Sequence, residues 1–118
     1  ACRAGTTTRW SSGGDESGLT DCAWYRGNLE EPNALPVGMK RPNPWGLFDV
    51  HGNVWEWVQD RYEAYPGGHP IRTGAPDRVN RGGSFYDRPR RVRSAYRNHD
   101  DPSTRSADLG LRLLREAR

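Results

Sequence analysis

The chain is poor in thiols, in long apolar stretches and, from Arg78 onward, in lysine, of which it has none there. Its two cysteines, Cys2 and Cys22, lie in neither a CxxC pair nor a zinc-ligand spacing, which excludes a cysteine-built zinc module. They can form one disulfide or stay reduced, and the sequence leaves both open. No apolar run has membrane-spanning length, and no signal-peptide pattern is present, so no membrane segment is expected. An initiator methionine is also missing: the chain opens Ala1-Cys2-Arg3, as expected of a piece of a longer protein or a processed product. There is no internal repeat and no low-complexity segment. Hydrophobic residues make up only 33% of the chain, while it holds 14 glycines and 9 prolines, so long helices and long strands are excluded and loops should dominate.

Disorder is the usual outcome for so polar a chain, but 5 Trp and 5 Tyr spread along it argue for a small, aromatic-rich core. A length of 118 residues supports one domain, residues 1–118. A core that small has little burial to draw on, and a bound ion would add stability.

Charge is uneven. From Arg78 to the end there are eleven arginines and five acids, a net +6. Nucleic-acid binding is one reading of such a segment. The arginines are interleaved with Asp87, Asp100, Asp101 and Asp108, however, which points to internal pairing instead of a phosphate track, and nucleic acid is not an expected partner.

The densest chemistry lies in Gly46-Leu47-Phe48-Asp49-Val50-His51-Gly52-Asn53-Val54-Trp55-Glu56-Trp57. From Gly52 the pattern predicts a strand with Trp55 and Trp57 on one face. Asp49 and Glu56 flank a glycine bend, so their oxygens and nearby carbonyls can converge as an all-oxygen shell for a hard cation. Acids beside a Gly-Asn bend also serve simply as turn caps or solvated groups.

Elsewhere, residues 1–20 and 60–77 read as loops. Residues 21–28 and Val37–Met39 read as brief extended pieces. Strands are expected over Arg78–Phe85, Arg93–Asn98 and Leu111–Leu114. Asp101-Pro102 carries a helix-start signature.

Five motifs occur together and in order: Ala1-Cys2-Arg3-Ala4-Gly5-Thr6, Pro42-Asn43-Pro44-Trp45-Gly46-Leu47, Gly52-Asn53-Val54-Trp55-Glu56-Trp57, Arg81-Gly82-Gly83-Ser84-Phe85 and Leu109-Gly110-Leu111-Arg112. In this the chain resembles the C-terminal portion of the formylglycine-generating enzyme, or sulfatase-modifying factor, family. The resemblance implies a loop-rich α+β fold of the C-type-lectin-like kind, with short antiparallel strands and little helix. In the family a helix-bearing segment precedes the Cys-Arg-Ala-Gly motif, so the expectation is either a reduced core or completion of the fold by a preceding segment or a second chain.

The resemblance implies calcium on Asp49, Gly52, Val54 and Glu56, with carboxylates from the acids and carbonyls from the other two. Copper is not implied. The family's oxidase uses two cysteines after its Gly-Gly-Ser motif, and the matching positions are Asp87 and Val92; the softness of thiolate is what selects Cu(I). Cys2 matches a cysteine that is disulfide-bonded in some members, but the partner position is Leu113. A second branch holds iron on three histidines; His51, His69 and His99 have no such spacing and read as ordinary packing or surface residues.

A third branch binds ligands without catalysis and includes the variable proteins of diversity-generating retroelements. Carried over, a framework containing Arg81, Gly83, Ser84, Arg93 and Arg112 would display Phe85, Tyr86, Asp87, Arg88, Arg90, Tyr96, His99, Asp101, Ser103 and Thr104 to a protein or peptide ligand. These are binding-surface residue types. They are equally the surface of a member with no diversification. The expected function is thus a non-catalytic ligand-binding domain, with an oxidase-like enzyme acting on protein cysteine or other sulfur-containing substrates as the alternative.

Overall fold

The computed structural model describes residues 1–68 and 77–117. His69, and part of the Gly/Pro loop read over 60–77, lie outside the described residues. The regular structure is a small mixed sheet. Strand β1 spans Trp55–Arg61, β2 Arg78–Arg81, β3 Arg97–Asp100 and β4 Leu109–Gly110, with one short helix, α1, at Glu16–Leu19. The spatial order is β3-β2-β1-β4. β2 runs antiparallel to both its neighbours, and β4 runs parallel to β1 through Trp55↔Leu109 and Glu56↔Gly110. The fold is loop-rich α+β.

The principal core lies among the loops. Trp10, Leu19, Cys22, Ala23, Tyr25 and Val92 form one buried cluster. Trp55, Val79 and Phe85 are buried as well. The aromatic core is therefore smaller than the composition predicts: Trp45 is 63% exposed and Tyr65 57%. Loops built on so little apolar area need their backbone polar groups paired. Three asparagines at turn positions do much of this. Asn28 Oδ1 accepts from Tyr25 N while its Nδ2 donates to the Ala23 carbonyl. Asn43 Oδ1 accepts from Trp45 N and Leu47 N, and its Nδ2 donates to the carbonyls of Ala1 and Cys2. Asn53 exchanges two bonds with the backbone of Leu35.

Several expected elements are corrected. The strand read over Arg78–Phe85 ends at Arg81, because Gly82 and Gly83 have φ of 96° and 75° and turn the chain. The one read over Arg93–Asn98 moves to Arg97–Asp100, since Tyr96 N bonds back to the Arg93 carbonyl in a turn. The helix start at Asp101 is an isolated turn: the Asp101 side chain caps Ser103 N and Thr104 N reaches the Asp101 carbonyl, but no helical bonds follow. Val37–Met39 is a turn with Gly38 at φ 77°. The last strand is Leu109–Gly110, not Leu111–Leu114. Helix α1, capped by Asp15 onto Ser17 N, forms within the stretch expected to be loop.

The paired glycines pack closely against other segments of the chain. A Cβ on Gly83 would collide with the Val92 side chain, and one on Gly82 would press on the Val50 carbonyl. A Cβ on Gly52 would collide with the Trp24 carbonyl, while one on Gly46, also at positive φ, would meet open space. Gly46→Ala should therefore cost about 1–2 kcal/mol from backbone strain alone. Gly52→Ala and Gly83→Val add overpacking of about 1–3 kcal/mol. Urea-denaturation midpoints will rank the three, and equal losses would refute the assigned contacts.

Candidate functional site

Two neighbourhoods hold the candidate residues. The first is the bend leading into β1. Asp49 (φ 56°) and Asn53 (φ 64°) occupy left-handed conformations that their short polar side chains tolerate. Asp49 is buried. Its Oδ2 accepts from Gly38 N at 2.8 Å, and its Oδ1 is buried with no protein donor. Asp49, Gly52, Val54 and Glu56 all line one cavity of about 380 Å³. Among the described residues, the carbonyls of Gly52 and Val54 receive no backbone hydrogen bond, whereas the Asn53 carbonyl between them accepts from Phe85 N.

This donor set fits a calcium ion: a buried carboxylate oxygen without a donor is costly unless a cation or water meets it, and every candidate ligand atom is oxygen. Among the described residues no three His, Cys, Asp or Glu side chains cluster, so a cation here depends on carbonyl oxygens. Glu56 is already shared. Arg112 Nε meets its Oε1 at 2.7 Å and Nη2 its Oε2 at 3.2 Å, and Nη2 also donates to the Phe48 carbonyl at 2.7 Å. The hydrogen bond to Glu56 raises the Arg112 pKa further, so this cation is permanent. Each carboxylate oxygen retains a further lone pair for a metal.

The second neighbourhood is the turn after Gly83. Ser84 is fully buried. Its N–H and Oγ both donate to Asp87 Oδ2 at 2.9 Å, and Asp87 N returns to the Ser84 carbonyl at 3.0 Å. Asp87 is thus spent on closing the turn. Phe85 is buried too, 4.4 Å by ring centroids from the exposed Tyr86. Neither Phe85 nor Asp87 is displayed to solvent as the sequence reading has it: the turn points both inward to satisfy the backbone and fill the core.

Beyond the turn, Val92 is wholly buried under Gly83, and Arg88 and Arg90 are exposed. Tyr96 is half-buried, with the guanidinium groups of Arg91 and Arg93 at 5.9 and 5.2 Å from its ring. His99 stands apart on β3, stacked 3.9 Å from Tyr62 and paired with Asp77 at 2.7 Å. Asp101, Ser103 and Thr104 form the separate turn described above, where the Ser103 donors hold the Asp101 carboxyl below its ordinary pKa. The ten residues read as one ligand surface thus fall into local groups.

The sequence reading missed the partners that fix these groups: Arg26, whose N–H donates to the Asp87 carbonyl, and Asp108, which accepts from Ser84 and Ser106. It also expected the arginines to pair with Asp87, Asp100, Asp101 and Asp108. Among the described residues only Asp87 does so, to Arg91 at 3.8 Å; the others accept from Asn80, Ser103, Ser84 and Ser106. Hydroxyl and amide partners leave no mark in a charge pattern; of these bonds only the Asp101 cap onto Ser103 was signalled, by the Asp-Pro helix start.

Cys2 and Cys22 are both free, and burial pushes both thiols above their ordinary pKa, which makes them poor nucleophiles. His51 is wholly buried. Its Nδ1 lies 2.7 Å from the Val92 carbonyl, so Nδ1 carries the proton, and Nε2 accepts from Ser11 N at 3.0 Å. Both nitrogens are used by a neutral ring, which marks a structural histidine.

Known proteins share this architecture. Residues 1–117 match the model of the sulfatase-modifying factor enzyme 1-like domain. The chain is 34% identical over 138 residues to the formylglycine-generating enzyme of Streptomyces coelicolor, covering 99% of this chain and 44% of that protein. It is 35% identical over 94 residues to the inactive C-alpha-formylglycine-generating enzyme 2 of Mus musculus, covering 75% of this chain and 27% of the relative. The solved structure of Treponema denticola variable protein 1 superposes with a TM-score of 0.75 at 30% identity, over 93% of this chain and 41% of that one. The chain therefore spans less than half the length of each.

Burial lowers the His51 pKa in the folded state from an ordinary 6.5. The unfolded chain then binds the extra proton first, so stability is complete above about pH 6.5 and declines as pH falls from there toward the lowered folded value. Urea midpoints measured from pH 8 to 5 should show this acid limb, and His51→Gln should flatten it while lowering the plateau. An acid limb identical in the variant would assign the titration elsewhere.

Proposed function

The chain belongs to the sulfatase-modifying factor enzyme 1-like family, and on that premise we propose that it is a ligand-binding domain without the oxidase chemistry of its enzymatic relatives. One observation carries this reading. Asp87, at the position that the resemblance gives to a catalytic thiol, is a buried carboxylate committed to Ser84, and Val92, at the other, is a hydrocarbon in the core. Neither supplies a soft ligand for Cu(I). The likeness to the Treponema variable protein supports the narrower reading of a framework that displays variable residues, with Tyr86, Arg88, Arg90 and Ser103 exposed on it.

A further polypeptide, from a preceding segment or a second chain, belongs to the same reading. Val37, Met39, Trp45, Leu111, Leu113 and Leu114 are 60–89% exposed, an unusual apolar display for so polar a chain. A further polypeptide would cover it, and the longer relatives carry additional length.

The test is oxygen-dependent oxidation of a sulfatase-type cysteine peptide with added copper, on the chain alone and joined to the N-terminal region of a longer relative. No formylglycine above the protein-free control is expected in either case. The joined form should also bind less of an apolar dye, such as anilinonaphthalene sulfonate. Turnover would establish the oxidase alternative, and undiminished dye binding would remove the completing segment.

Calcium at Asp49, Gly52, Val54 and Glu56 is part of the same proposal, supported by the unmatched Asp49 oxygen. When bound, the ion would tie the Asp49 bend to the start of β1 by its charge. Stabilisation of about 2.7 kcal/mol is expected at a hundredfold excess over Kd. Melting temperature should therefore rise with calcium and fall with chelator, and Asp49→Asn or Glu56→Gln should abolish the difference. Coincident melting curves in calcium and in chelator would exclude the site.

A further inference from the structure

Arg88-Pro89-Arg90-Arg91-Val92-Arg93 places four arginines in six residues. The segment is pinned from within. The Pro89 carbonyl accepts from Trp10 Nε1 at 3.1 Å, the Val92 carbonyl from His51 Nδ1, and Ser94 N donates to the Arg9 carbonyl at 2.8 Å. Its inward side is thus tied to Trp10, His51 and Arg9, and its outward groups are guanidinium, that of Arg93 donating to the Arg90 carbonyl at 2.7 Å. Among the described residues, Arg88, Arg90 and Arg93 have no carboxylate within 4.0 Å, and Arg91 has only the half-exposed pair to Asp87 at 3.8 Å. Residues 69–76 contain no Asp or Glu that could neutralise them. The acids expected to do so are occupied by serine and asparagine donors.

We infer that this ridge is the docking surface for an acidic polypeptide segment, one rich in Asp or Glu, which deepens and rests on the reading of the domain as a ligand binder. A guanidinium fork takes a carboxylate through two parallel hydrogen bonds. Stacking on Tyr96 holds the forks of Arg91 and Arg93 in place, so less conformational freedom is lost on binding. The same stacking engages the Tyr96 ring, which leaves it less free to receive a nucleobase and favours peptide carboxylates over single-stranded nucleic acid.

The test is fluorescence anisotropy of three labelled probes titrated with the full chain: a Glu/Asp-rich peptide, a Lys-rich peptide of equal length, and a single-stranded DNA of equal charge to the acidic peptide. The acidic peptide should bind in preference to both, and more weakly as salt is added. Arg88→Ala combined with Arg90→Ala should lower its affinity about tenfold or more. Arg41→Ala, which removes an equal charge beside Asp21, should leave it unchanged. Circular dichroism checks the fold, and Arg88→Gln alone gives the same readout if the double variant unfolds. Equal binding of the Lys-rich peptide, or no effect of the ridge variants, overturns the inference. Preference for the DNA overturns it in favour of a nucleic-acid partner. None of these results depends on turnover: formylglycine formation would sink the non-catalytic reading even if the acidic peptide bound, and failure of the peptide would leave that reading standing.

Discussion

The fold hangs on one dipeptide. Gly52 N donates to the Gly82 carbonyl and Asn53 N to the Trp24 carbonyl, each at 2.7 Å, and the Asn53 carbonyl accepts from Phe85 N at 2.8 Å. The Asn53 side chain adds two bonds to Leu35. Segments far apart in the chain are thereby gathered at adjacent left-handed residues, and Gly52 is there because the Trp24 backbone leaves no room for a Cβ. A chain with this little apolar surface cannot rely on burial to fix its loops; directional bonds to buried groups take over that role. The node also couples function to fold, since it places the Asp49–Glu56 bend on one side and the Ser84–Asp87 turn on the other.

That node was half legible. The tryptophan strand expected from Gly52 does form, but it begins at Trp55, because Gly52 and Asn53 are left-handed and make a bend. What cannot be read from local pattern is which distant carbonyls the bend will meet. The same limit explains the misplaced strands. Arg93–Asn98 alternates well enough for a strand, but Val92 must enter the core beneath Gly83, and that tertiary demand forces a turn before β3 can begin. Asp101-Pro102 carries sound helix-start chemistry, and the cap does form; the residues after it turn toward β4 instead.

Charge was the least legible layer. Counting acids among arginines predicts neutralisation, yet Asp100, Asp101 and Asp108 each choose a neutral donor close by in sequence or across the sheet. A serine two residues away costs little chain entropy to engage, whereas an arginine must order a long side chain to reach a solvated carboxylate. The positive ridge is what remains once those local choices are made.

Asp87 shows what its turn would resist. Its carboxylate accepts the Ser84 N–H and hydroxyl, and its backbone anchors Arg26, in the turn that covers Val92. A thiol at that position is a weak hydrogen-bond acceptor and would leave a buried N–H unpaired beside a core residue. Placing a soft-metal ligand there by a single substitution would therefore loosen the turn. A two-cysteine site here would require two positions and the packing between them to change together.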